Sequence, residues 1–236
     1  MRIMKTFIRF AAICALLSAI TTLGVHLIPG SEVATNFDER IALHTNKLYL
    51  ARLWIVLFHI IIVLSSLWGV AILNWRRAPG WIGLGFVGYL LFALAELFRT
   101  SLVLFALNRD WRSTFTHATG DSATQNILQP LLAGWPGVND ALFFLLVVGF
   151  LLGNLFYGIS FVSSPRRFDR LIGIMLLLWA GLGCLTVLQQ YADVRSLPPT
   201  PDWIAWTYQP LVRVVLGLWL WNAVPVDETA INIVIE

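Results

Sequence analysis

The chain has 236 residues, of which 58% are hydrophobic and only 12% charged. A soluble domain carries about 25% charged residues, so this composition excludes an ordinary water-soluble globule. The formal net charge is only +3, and its basic residues sit in short connections with no aromatic-interleaved patch, which sets nucleic acid aside as a partner.

A helix needs roughly 20 apolar residues to cross a bilayer. Backbone polar groups in lipid must be satisfied within the segment, which selects helix. Six stretches qualify. The first, residues 6–27, follows Arg2, Lys5 and Arg9. It is long, lacks a small-x-small cleavage site and ends at Pro29-Gly30, so it is expected to be an uncleaved anchor. In the outer loop 28–48, Asn36 and Glu39 have the spacing of a capping box, which predicts a surface helix leading into span two, residues 49–75. A basic turn, Arg76-Arg77, precedes span three, residues 81–107. Gly83, Gly85 and Gly88 give that span a small-residue strip suited to close helix packing. The loop 108–137 mixes signs (Arg109, Asp110, Arg112, Asp121), with Ser122 expected to cap a short segment that Pro130 limits. Span four is 138–160. Arg166, Arg167 and Arg170 precede span five, 171–190. A third outer loop, 191–203, contains the stiff "LPPTPD", and span six is 204–224.

Lys and Arg concentrate in cytoplasmic loops. The basic N-terminus, Arg76-Arg77 and the Arg166–Arg170 turn fall on one side, which places both termini in the cytoplasm. The expected fold is an all-α polytopic transmembrane bundle of six spans in a single domain, 1–236, without tandem or inverted repeats.

The polar residues inside the spans carry the functional information. Glu96 lies fifteen residues beyond Trp81, about 22 Å up a core about 30 Å thick. Arg99 follows on the same helical face. Arg52 and His59 share a stripe of span two, Asp140 opens span four, and Gln189 closes span five. Gln209 and Arg213 share a stripe of span six. A charge at membrane depth costs about 2.5–3.5 kcal/mol, so these residues are expected to converge on one interior cavity in the outer half. Competing readings stand beside this one. Arg52, Arg99 and Asp140 are near enough to the boundary to snorkel. Glu96 with Arg99 also reads as an internal i,i+3 ion pair that only locks packing, and His59 as a neutral core histidine. Asn154 reads as helix–helix glue.

Glu96 and Asp140 stand against Arg52, Arg99 and Arg213, a surplus of one positive charge that an anionic group is expected to complete. The four His sit on separate segments, and neither Cys14 nor Cys184 has a ligand neighbour at metal spacing. No metal site, cofactor or catalytic residue is therefore assigned.

The stretch "GVAILNWRRAPGWIGLGFVGYLLFALAELFRTSLVL" resembles the second-to-third span region of a family of uncharacterised bacterial integral membrane proteins, and "NLFYGISFVSSPRRFDRLIGIMLLLWAGLG" resembles its later Ser-x-x-Pro-Arg turn. The resemblance implies a multi-pass protein of the bacterial cytoplasmic (inner) membrane. The leading functional reading is non-enzymatic. An outward-facing polar cavity binds a small amphiphile or anionic lipid headgroup, or the chain is a subunit of a homo-oligomer or larger membrane assembly. A small permease or proton-coupled transporter and an intramembrane lipid-modifying enzyme are the alternatives. Membrane lipids are the expected partners.

Overall fold

A computed structural model describes residues 2–30, 34–118, 120–192, 194 and 202–223. The described residues are mostly helical, with no strand among them. The elements are α1 (Arg2–Leu27), α2 (Phe37–Ala42), α3 (Lys47–Asn74), α4 (Pro79–Ser101), α5 (Ser113–His117), α6 (Ser122–Val162), α7 (Arg167–Gln190) and α8 (Asp202–Asn222). A one-turn 3₁₀ segment, Leu43–Thr45, follows α2. A π-helical segment, Leu102–Arg112, continues α4 without a break into α5.

Among the described residues, five helical stretches are long and apolar enough to cross a membrane: Met4–Leu27, Lys47–Asn74, Pro79–His117, Ser122–Val162 and Arg167–Gln190. The sixth expected span is helical as α8, but it is not among these five, because Thr207, Tyr208, Gln209 and Arg213 dilute its apolar content. The bundle's surface fits immersion in hydrocarbon. Ile20, Ile61, Val87, Phe98 and Leu178 all stand more than half exposed, an apolar belt far larger than a water-soluble protein tolerates.

Successive long helices run antiparallel. α1, α4 and α7 finish at one end, called here the far end, where α3, α6 and α8 begin. Neighbours around the bundle are α8, α1, α3, α4, α6 and α7 in turn. Small residues set these contacts. A Cβ on Gly88 would lie 2.6 Å from the Gly153 nitrogen and 2.9 Å from the Gly149 oxygen, so α4 and α6 touch backbone to backbone. Gly173 of α7 meets the Val162 nitrogen of α6 in the same way, and Gly69 of α3 meets Ala11 of α1. Of the expected strip, Gly85 and Gly88 make the α4–α6 contact, while Gly83 faces only the Trp75 ring. Such close approach is how helices associate where solvent supplies no hydrophobic drive. Around it the main core gathers Tyr89, Phe92, Tyr157, Phe161 and Leu176.

The largest departure from the sequence expectation is residues 108–137. They were expected to form a loop, and almost all of them are helical. α6 runs 41 residues and carries Pro130 and Pro136 within it. Packing holds this region in place of propensity. Leu132 is buried with Tyr49, Val103 and Leu107 in a second core that caps the far end, with Phe37, Trp111, Phe115 and Trp135 around it. The caps also differ in detail. Asn36 Oδ1 accepts the Glu39 N–H at 2.9 Å as expected, and Glu39 Oε2 accepts from the Thr35 N–H at 2.6 Å and the Thr35 hydroxyl at 3.0 Å. These bonds, the Thr35 N–H first, hold the Glu39 carboxyl below the usual carboxylate range. Asp121, not Ser122, caps α6, its Oδ1 accepting from the Ala123 and Thr124 N–H groups. Most of "LPPTPD" and the C-terminal tail lie outside the described residues.

Candidate functional site

Among the expected site residues, Glu96 and Arg99 are joined most directly. Arg99 Nε donates to Glu96 Oε2 at 2.8 Å and Nη2 to Oε1 at 2.6 Å, a two-pronged pair one turn apart on α4. Arg99 Nη1 reaches Asn139 Oδ1 of α6 at 3.3 Å, and the guanidinium sits 5.9 Å from the Phe143 ring. Thr100 donates to the same Glu96 oxygen at 3.5 Å. Each group thus compensates the other, as a charge removed from water requires.

This pair forms part of the wall of a cavity of about 520 Å³ at the far end. The ends of α1, α3, α4 and α6 and the π-helical segment enclose it. Arg52, Glu96, Arg99 and Asp140 of the expected set all line it. So do Arg40 and Arg112, which sequence reasoning did not single out. Four guanidinium groups therefore face two carboxylates, an excess of two positive charges.

Arg112 reaches the cavity because of the π-helix. At 3.6 residues per turn, a residue thirteen positions beyond Arg99 would point about 140° away from it. The wider i→i+5 turns of Leu102–Arg112 advance less per residue and swing Arg112 back to the cavity side. Asn108 supports the wide turn. Its Nδ2 donates to the Val103 carbonyl five residues back at 2.7 Å, and its Oδ1 accepts from Arg112 Nη1 at 2.6 Å. Arg112 is only 5% exposed, yet its Nε has no acceptor. π-Helical turns concentrate at functional sites, and this one holds a buried cation against a cavity.

His59 and Arg213 belong to a second, deeper polar cluster. Arg213 Nη1 donates to Ser18 Oγ at 3.3 Å, and His59 Nδ1 lies 2.6 Å from Thr21 Oγ1, so both meet α1 within one turn. Arg213 is buried, 5.9 Å from the Trp179 ring, with its Nε lacking an acceptor and no carboxylate beside it among the described residues. It borders a void of only about 20 Å³ shared with Ser66, Tyr89 and Asn154, room for about one water. Asn154 acts as the expected glue, its Oδ1 accepting from the Tyr89 hydroxyl at 2.9 Å across the α4–α6 contact. Gln189 and Gln209, both half-buried on α7 and α8, line neither space.

At the opposite end, a third cluster closes the bundle. Asp169 Oδ2 accepts from Arg77 at 3.0 Å and from Ser164 at 2.6 Å, while Oδ1 accepts from Trp219 Nε1 at 2.9 Å. Arg77 also donates to the Ser160 carbonyl at 2.7 Å. This knot joins the α3–α4 turn, the end of α6, the start of α7 and the end of α8.

Among the described residues, no three His, Cys, Asp or Glu side chains gather closely enough to hold a metal ion. No family model, curated protein or solved structure matches this chain.

Proposed function

We propose that this protein is a non-enzymatic, six-span integral membrane protein of a bacterial inner membrane, with both termini cytoplasmic and the far-end cavity facing outward. On this reading α8 is the sixth span, and the cavity binds the anionic headgroup of an amphiphile. The observation that carries it is the cavity itself: about 520 Å³, bordered by four arginines against two carboxylates, at one end of a bundle whose flanks are apolar. Guanidinium groups form their strongest bonds with carboxylate or phosphate oxygens.

The permease alternative, using Glu96, His59 and Arg213, finds less support. Glu96 is committed to Arg99, and the void near Arg213 is only about 20 Å³. A lipid-modifying enzyme would need an uncommitted base at the cavity; Glu96 does not supply one, which leaves Asp140 as the one other carboxylate lining it.

The test is native mass spectrometry of the protein extracted gently from its own membrane. The reading expects a co-purifying anionic lipid at about one per chain. Exclusive retention of zwitterionic lipid, or none, would overturn it. Partner chains released in the same spectrum would favour a subunit role.

A further inference from the structure

The larger cavity does not end at Arg112. A second chamber of about 240 Å³ lies beneath α2, lined by Phe37, Ile41, Leu132 and Trp135. The two spaces share Arg40 and Arg112 in their common wall. The geometry points to a phosphate group, held between Arg40 and Arg112, as the anion this site takes, with the apolar part next to that phosphate seated in the smaller chamber. This assignment rests on the anion-binding reading above.

Three features carry it. First, the Glu96–Arg99 pair shows what a carboxylate does here: two oxygens and a single charge are fully matched by one guanidinium. Second, Arg40 and Arg112 present two guanidinium groups, and neither has a carboxylate partner among the described residues. A phosphate monoester carries about −1.5 to −2 at neutral pH and offers three acceptor oxygens, which suits two guanidinium groups where a carboxylate suits one. Third, the two arginines differ in burial. Arg112 is buried and oriented by Asn108, while Arg40 stands exposed on the surface helix α2. One is a fixed fork, and the other can close over the ligand.

The experiment uses the full chain in lipid nanodiscs, with native mass spectrometry as the readout. The probes are phosphatidic acid, oleate as a carboxylate amphiphile, and glycerol 3-phosphate added in solution. The variants are Arg112→Gln, Arg40→Gln and, as a control outside the cavity, Arg109→Gln. Arg40 is exposed, so its variant keeps the fold even if Arg112→Gln does not. The expected result is selective retention of phosphatidic acid over oleate, weakened about tenfold or more by loss of either arginine and unchanged in Arg109→Gln. Displacement of the lipid by glycerol 3-phosphate would identify a free phosphate ester as the ligand, and resistance to it a lipid headgroup; either outcome supports the phosphate assignment.

Equal binding of oleate, or retention of phosphatidic acid unchanged by Arg40→Gln, would overturn the assignment while leaving the anion-binding cavity standing. Failure to retain any of the three probes would remove both.

Discussion

Gly88→Ala is expected to destabilise the bundle, although alanine is the better helix former. The added Cβ would lie 2.6 Å from the Gly153 nitrogen and 2.9 Å from the Gly149 oxygen, where ordinary contact begins near 3.4 Å. Both obstacles are backbone atoms of α6, so no side chain can rotate aside. The helices must part by several tenths of an ångström, enough to loosen the Tyr89–Asn154 hydrogen bond beside them. Overpacking of this kind costs about 1–3 kcal/mol, against a propensity gain of about 0.5–1 kcal/mol. The net loss is thus about 0–2.5 kcal/mol, centred near 1. Gly181→Ala, in mid-α7 with nothing within 4 Å, supplies the control and should be neutral or slightly stabilising. Steric trapping in bicelles or thermal melting in mild detergent measures the difference. If Gly88→Ala melts together with Gly181→Ala, the α4–α6 backbone contact is not what holds these helices.

Arg99→Gln should cost ~2–3 kcal/mol, below the usual cost of breaking a buried pair because Arg99 keeps a quarter of its side chain exposed. Adding Glu96→Gln should restore most of it, and a double-mutant cycle with no coupling would contradict the pairing. Asp169→Ala should cost about 1–3 kcal/mol and shift Trp219 fluorescence, because that indole loses its only carboxylate acceptor; an unchanged spectrum would speak against the knot. Arg213→Met should leave melting unchanged or raise it, because replacing poorly compensated buried charge by apolar volume is neutral or stabilising by about 1–4 kcal/mol. A clear fall would show that Arg213 has a bound counter-ion. The Glu39 carboxyl lies below the ordinary range in the folded chain. Its contribution to the α2 cap is therefore complete at neutral pH, persists near the ordinary value of about 4.3, and is lost as pH falls further through its folded value. Faster hydrogen exchange at the Thr35 amide below that point, with no change above it, is the expected result.

The sequence carried the apolar helices plainly, because length and hydropathy alone decide them. It also carried the Glu96–Arg99 pair, a local i,i+3 relation that needs no tertiary knowledge. Residues 108–137 were not legible. Pro130, Pro136 and the scattered charges argue for loop, and only the packing of Leu132 against Tyr49 and Leu107 overrides them. Arg112 was hidden for a related reason. Any reading at 3.6 residues per turn turns it away from Arg99, and no sequence signal announced wide turns. Asn108, placed to fill the widened carbonyl position at Val103, is the one residue that could have hinted at them. Asp169 was hidden by distance. It lies among Arg166, Arg167 and Arg170, while its partners Arg77 and Trp219 lie 92 and 50 residues away.

The cavity and the glycine contact are two consequences of one arrangement. α4 and α6 touch at Gly88 and Gly149, so there the pair is as narrow as two helices can be. Eleven residues further along α4 is Arg99, and ten residues back along α6 is Asn139. Here the helices are bridged by a 3.3 Å side-chain hydrogen bond and the Arg99–Phe143 contact, and border open space. Helices clamped at one level are free to separate away from it, and the π-helix widens the chain's turns at the cavity end. The cavity is therefore held open by packed helices on both walls, with α2 lying over its smaller chamber. A ligand site built this way gains affinity from preorganisation, since little ordering remains for the ligand to impose. Its weakest feature is also its handle: any change that separates Gly88 from Gly153 moves Arg99 and Asn139 together with it, so packing deep in the bundle and ligand retention at the far end should weaken in parallel.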